Sequence, residues 1–250
     1  MIKHILIAGL ISIILLNPFN TKEIETYDLQ SDAPSHKQWT KLLQNHVTDN
    51  GLVDYKGFKA DKKQLLSYTD HISKHPPANN WSENEKKAYL INTYNAFTVL
   101  LIVDNYPVES IKDIGGFLGS PFSKKFIRLG ADTYSLNDVE KGMLLKMRDA
   151  RAHFAINCAS YSCPKLYNKA FVASKLEQQL DEATHDFLQS DKNKINSNKL
   201  QLSKIFKWYA SDFDDYSGSV TRFIDQYTNI SISTNADIDY LEYNWNLNEQ

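Results

Sequence analysis

Residues 82–105 read SENEKKAYLINTYNAFTVLLIVDN. Ser82 is followed three residues later by Glu85, the spacing of a capping box, so a helix is predicted to begin here. It runs from Glu83 to about Asn105, the longest helix in the chain, and Pro107 ends it. From Ala88 to Val103 the segment is nearly apolar all round. Such a helix belongs inside the protein body, because no face of it suits water. The interruptions are Asn92, Thr93 and Asn95. Buried amides are costly unless bonded, so Asn92 and Asn95 either hold a site or tie the helix to a neighbouring loop.

Outward from this helix the pattern is mostly helical. Ser35 to Val47 carries Trp39, Leu42, Leu43 and Val47 at helical spacing, and Asp61 to His75 forms a second helix stopped by Pro76-Pro77. Asn50-Gly51 marks a turn before a brief extended Leu52 to Tyr55. Phe126 to Leu129 and Thr133 to Leu136, split by Gly130-Ala131-Asp132, predict a β-hairpin. Asn137 and Glu140 have capping-box spacing for a helix to about Arg148. His153 to Asn157 has the apolar content of a central strand. Ser174 caps a helix through Leu188, Leu200 to Leu202 is extended, and helices follow at Ile205 to Tyr209 and Val220 to Tyr227. Asp239 to Leu247 reads as a closing strand or extended tail. The fold class is α+β, a mainly helical single domain with a small antiparallel or mixed sheet.

Apolar residues make up 42% of the chain and the formal charge is -2, enough for a core and no electrostatic reason to bind nucleic acid. Gly115-Gly116-Phe117-Leu118-Gly119 lacks phosphate-loop spacing. The chain opens MIKHILIAGLISIILLNPFN. The apolar run Ile5 to Leu16 is shorter than the roughly 20 residues of a membrane span and fits a secretory signal. The expected organisation is a signal peptide or N-terminal membrane anchor over 1–22, a polar tether over 23–34 and one domain over 35–250. Location is expected to be periplasmic or otherwise extracytoplasmic, with membrane association through the N-terminal segment only.

The chemistry-bearing segment is His153 to Pro164, HFAINCASYSCP, which holds both cysteines, Cys158 and Cys163. Pro164 favours a first helical position, which puts Cys163 at an N-cap where free amides and the helix dipole stabilise a thiolate. The same amides suit an oxyanion. His153 supplies the base that a thiol nucleophile needs, and Glu140, Asp138, Asn157 or Asn92 would orient it. A Cys158–Cys163 disulfide is the alternative, since export permits one. A zinc site from His153, Cys158 and Cys163 lacks a fourth ligand and a standard spacing, so no metal or cofactor is expected.

Several segments together resemble the bacterial family known as domain of unknown function 547. They are Val53 to Tyr55, Ala88 to Ala96, Tyr134 to Glu140, His153 to Ser160, Ser162 to Pro164, Leu202 to Tyr209, Asp212-Phe213 and Tyr243 to Asn248. The chain departs from the family pattern at Asn244, where Asp is usual, and at Asn246, where Ser is common. The resemblance implies an exported or envelope-associated protein with no settled activity. It also implies that Asn92, Asn95, Glu140, His153, Cys158 and Cys163 belong to the family pattern. Papain-like and transglutaminase-like thiol enzymes share these residue types but place cysteine before histidine. The expected function is a thiol-dependent hydrolase or acyltransferase using Cys163 and His153 on an amide or ester of a peptide or cell-envelope component. The alternative is a non-catalytic envelope binding or scaffold protein with the disulfide.

Overall fold

The computed structural model describes residues 32–115 and 119–250. The N-terminal segment 1–22, most of the tether and the middle of the glycine-rich stretch lie outside the described residues. Helices α1 (Lys37–His46), α2 (Tyr55–Ala60) and α3 (Lys62–Lys74) pack together ahead of α4 (Glu83–Asn105). Every residue of α4 over 87–103 is buried. Ser82 and Glu85 form the expected capping box. Helices α2 and α3 pack on α4, and so does the irregular helix described below.

The hairpin of β1 (Ile127–Leu129) and β2 (Asp132–Tyr134) pairs antiparallel, Ile127 facing Tyr134. The next helix departs from the expected cap. Ser135, rather than Asn137, is bonded reciprocally with the residue three positions on: the Asp138 amide donates to Ser135 Oγ, and the Ser135 amide donates to Asp138 Oδ2. Asn137 already has helical dihedrals and caps nothing. The turn widens into a π-helix over Asp138–Leu144 and tightens to a 3₁₀ turn at Leu145–Met147. Glu140 is thereby released from capping and buried.

A second correction falls on His153. The predicted strand is a short helix, α5 (Ala152–Ala155), and the chain becomes extended only at Ile156. A short apolar run buried on all sides does not distinguish strand from helix by periodicity. Arg151 helps hold this turn, clamped by Asp149, Glu177 and Asp181, with Lys87 of α4 sharing Oδ2 of Asp149 with it. It is a buried structural cation.

Helix α6 (Leu176–Gln189) follows a 3₁₀ turn, so Ser174 is not its cap. Then come β3 (Lys194–Asn196), β4 (Lys199–Leu202), α7 (Ile205–Trp208), α8 (Ala210–Ser217), α9 (Val220–Tyr227) and β5 (Asp237–Tyr240). The sheet is mixed: β4 pairs antiparallel with β3 and parallel with β5. Phe154 on α5 packs with Phe187, Phe206, Phe213 and Phe223, which joins α5 to α6, α7, α8 and α9. After β5 the tail runs back across the molecule, bridging Asn246 to Ser110, Leu247 to Ser160 and Glu249 to Val53. No helix among the described residues is long and apolar enough to cross a membrane.

Candidate active site

The segment from Ile156 to Pro164 forms a closed loop built by Asn157. Its Oδ1 accepts from the Ala159 amide at 2.9 Å and its Nδ2 donates to the Pro164 carbonyl at 2.7 Å. Ala159, fully buried, takes a left-handed φ of 60°. The C-terminal tail braces the outside: Tyr161 N donates to Asn246 O at 2.7 Å and Asn248 N to Ala159 O at 3.3 Å. Asn248 also reaches Asn157, while Tyr55 donates to Asn248 at 2.7 Å. No helix follows Pro164, because Cys163 sits in a turn closed by its own amide on Ser160 O. The N-cap environment expected for Cys163 is therefore absent.

The two asparagines of α4 act as ties. Asn95 Nδ2 donates to Ala155 O at 2.9 Å, and its Oδ1 accepts from Asn157 N at 2.8 Å. Asn92 makes the same two-way contact with the backbone of Phe171, at 2.7 and 3.0 Å. Asn95 thus anchors the root of the cysteine loop, and Asn92 anchors a different loop.

Cys158 and Cys163 are both free thiols, and their environments differ. Cys163 is buried, and its sulfur accepts from the Cys158 amide at 2.9 Å. Burial holds its thiol well above the ordinary range, and the hydrogen bond to Cys158 adds to this. Cys158 is partly exposed. Its sulfur lies 3.1 Å from Ser160 Oγ and 3.4 Å from Tyr243 OH, with those two hydroxyls 3.0 Å apart. The Cys163 hydrogen bond, with those from Ser160 and Tyr243, outweighs burial and brings the Cys158 thiol down to about 7. Donors aimed at a sulfur stabilise its anion.

Cys158, Cys163, His153 and Glu140 line one cavity of about 210 Å³, walled by Tyr94, Phe122, Trp208, Tyr209, Tyr243 and Trp245. His153 is oriented by none of the groups expected. Its Nε2 is 2.8 Å from Asp212 Oδ2, and its ring lies against Tyr209 at 4.1 Å between centroids. With Asp212 ionised, Nε2 carries the proton and Nδ1 is the basic nitrogen. Glu140 accepts from Tyr209 OH at 2.5 Å instead of contacting His153. Asp138 is used in its own cap. No group of three or more His, Cys, Asp or Glu side chains among the described residues is placed to hold a metal ion.

The sequence model of a family described as "Protein of unknown function, DUF547" matches residues 78–188. Over this segment the chain is similar to the DUF547 family. No curated protein and no solved structure matches it. The DUF547 segment supplies Asn95, Glu140, His153, Asn157 and both cysteines. Tyr209, Asp212, Tyr243, Trp245 and Asn248 reach the site from beyond it. These later residues lay in segments that resemble the family, but no local spacing tied them to the cysteine loop.

Proposed function

We propose that this protein is a thiol-dependent hydrolase or acyltransferase acting on an amide or ester, with Cys158 rather than Cys163 as its nucleophile. The carrying observation is the cradle of Cys163, Ser160 and Tyr243 around the sulfur of a half-buried Cys158 that lines a cavity with His153. The Cys158 thiolate attacks the carbonyl carbon, and a C–S bond forms as the C–N or C–O bond breaks. The leaving group takes a proton, and water or another nucleophile then releases the acyl group and regenerates the thiolate. His153, held by Asp212 through Nε2, relays protons through Nδ1. Cys163 acts through Cys158 by donating to its sulfur. Export by the N-terminal segment would place the substrate among peptides or other components of the cell envelope.

The test is iodoacetamide labelling of the native chain against pH, read by mass spectrometry for each cysteine. Cys158 is expected to label with a midpoint near 7 while Cys163 stays protected. Cys163→Ala raises that midpoint by removing the largest stabiliser of the thiolate. His153→Ala leaves labelling in place but abolishes the slow turnover that follows acylation by an activated ester. Preferential labelling of Cys163 overturns the assignment. So does a quantitative Cys158–Cys163 disulfide that yields only to reduction and unfolding, which would favour the scaffold alternative.

A further inference from the structure

Glu140 is the acidic residue lining this cavity, and the proposed thiol mechanism leaves it unused. Its side chain is 5% exposed and faces the same cavity as Cys158. Its hydrogen-bond partner is a neutral phenol, Tyr209. The ion pairs of the described residues do not include it. The nearby basic groups do not contact it. His153 is bonded to Asp212, and Lys141, which also lines the cavity, is exposed with its ammonium 5.9 Å from the centre of the Tyr209 ring. A buried carboxylate without a cation is costly to keep in a fold, and a cationic ligand would relieve that cost.

The surrounding walls suit the same ligand. Tyr94, Tyr209, Tyr243, Trp208 and Trp245 line the cavity, and ring faces attract cations. Burial, and then the charge of Glu140, pushes the Tyr94 and Tyr209 phenols far above their ordinary range, so both rings stay neutral walls. A volume of about 210 Å³ lies below the roughly 300–1,000 Å³ of drug-sized pockets, so it holds one side-chain-sized group.

We infer that the cavity binds a primary alkylammonium group, of the size of a lysine side chain, with Glu140 as its counter-ion and the tyrosine and tryptophan rings as its walls. This deepens the thiol-enzyme reading by naming a charged feature of its substrate. Glu140 becomes a specificity residue rather than the group that orients His153.

Tryptophan fluorescence of the full chain, titrated at pH 7 with n-butylammonium, Nα-acetyl-lysine N-methylamide and n-butanol, tests it. Both ammonium probes are expected to perturb Trp208 and Trp245 saturably, with n-butanol at least about 10-fold weaker. Glu140→Gln, which keeps an acceptor for Tyr209, is expected to lose on the order of 10-fold or more in ammonium affinity and little for butanol. Binding of butylammonium alone still supports the ammonium site and identifies free amines as its source. Equal response to butanol, or no response in the wild-type chain, overturns the inference without any variant having to fold. A chain that labels at Cys158 but ignores both ammonium probes leaves the thiol chemistry standing. A chain that binds them with an inert Cys158 does the reverse.

Discussion

Asn95→Ala and Asn92→Ala make a matched pair that separates fold from site. Each amide is buried and makes two backbone bonds, with lengths between 2.7 and 3.0 Å. Removing either side chain strands one N–H and one C=O, each costing about 1–3 kcal/mol when left unpaired. The sum is about 2–6 kcal/mol, centred near 4, which for a domain of this size lowers Tm by roughly 8–16 °C. Both variants are therefore expected to lose similar stability in a thermal melt followed by circular dichroism. Only Asn95 holds the backbone of Asn157, next to Cys158. At a temperature where both variants remain folded, Asn95→Ala is expected to slow iodoacetamide labelling of Cys158 and raise its pH midpoint. Asn92→Ala, which releases Phe171 instead, leaves labelling at the wild-type rate. Equal labelling by the two variants would refute the claim that α4 positions the nucleophile through Asn95. A melt unchanged in either would refute the energetic reasoning itself.

Two further outcomes follow from other parts of the structure. Burial, and secondarily the charge of His71, depresses the His36 imidazole from its ordinary value to about 4. Between about 6.5 and 4 the unfolded chain therefore binds a proton that the folded chain refuses, so stability falls as pH drops through that window and levels off below it. The shift corresponds to roughly 3 kcal/mol. Urea midpoints at pH 7 and pH 4.5 are expected to differ less in His36→Asn, which keeps a partner for the Tyr68 hydroxyl, and an identical difference in both proteins would count against the assignment. Ala159 holds a left-handed φ of 60°, a conformation costing about 1–2 kcal/mol outside glycine. Ala159→Gly is expected to melt within a few degrees of wild type and Ala159→Val well below it, and a valine variant as stable as alanine would show that the loop does not need this backbone.

What was legible in the sequence follows from how local each determinant is. The α4 segment carries its own cap and apolar surface, so its span and burial are readable without knowing what surrounds it. The spacing at 135–140 is ambiguous, because Ser135 with Asp138 and Asn137 with Glu140 both satisfy the three-residue rule. The structure uses the earlier pair, and the widened turn that follows leaves Glu140 buried against Tyr209. The cysteine roles are less local still. Pro164 is a fair helix-start signal, but the tail at 244–248 claims the backbone of 159–162 first, and a loop bonded to a distant extended segment does not turn into a helix at its end. The groups that tune Cys158 lie two, five and 85 residues away, at Ser160, Cys163 and Tyr243. The orienter of His153 is 59 residues away, at Asp212. Residue types within one segment therefore point to a candidate thiol site, whereas which sulfur the fold surrounds with donors depends on tertiary contacts that no spacing encodes. The reversed order of histidine and cysteine relative to papain-like and transglutaminase-like enzymes loses its force for the same reason, since the donors around the sulfur converge in space from unconnected segments.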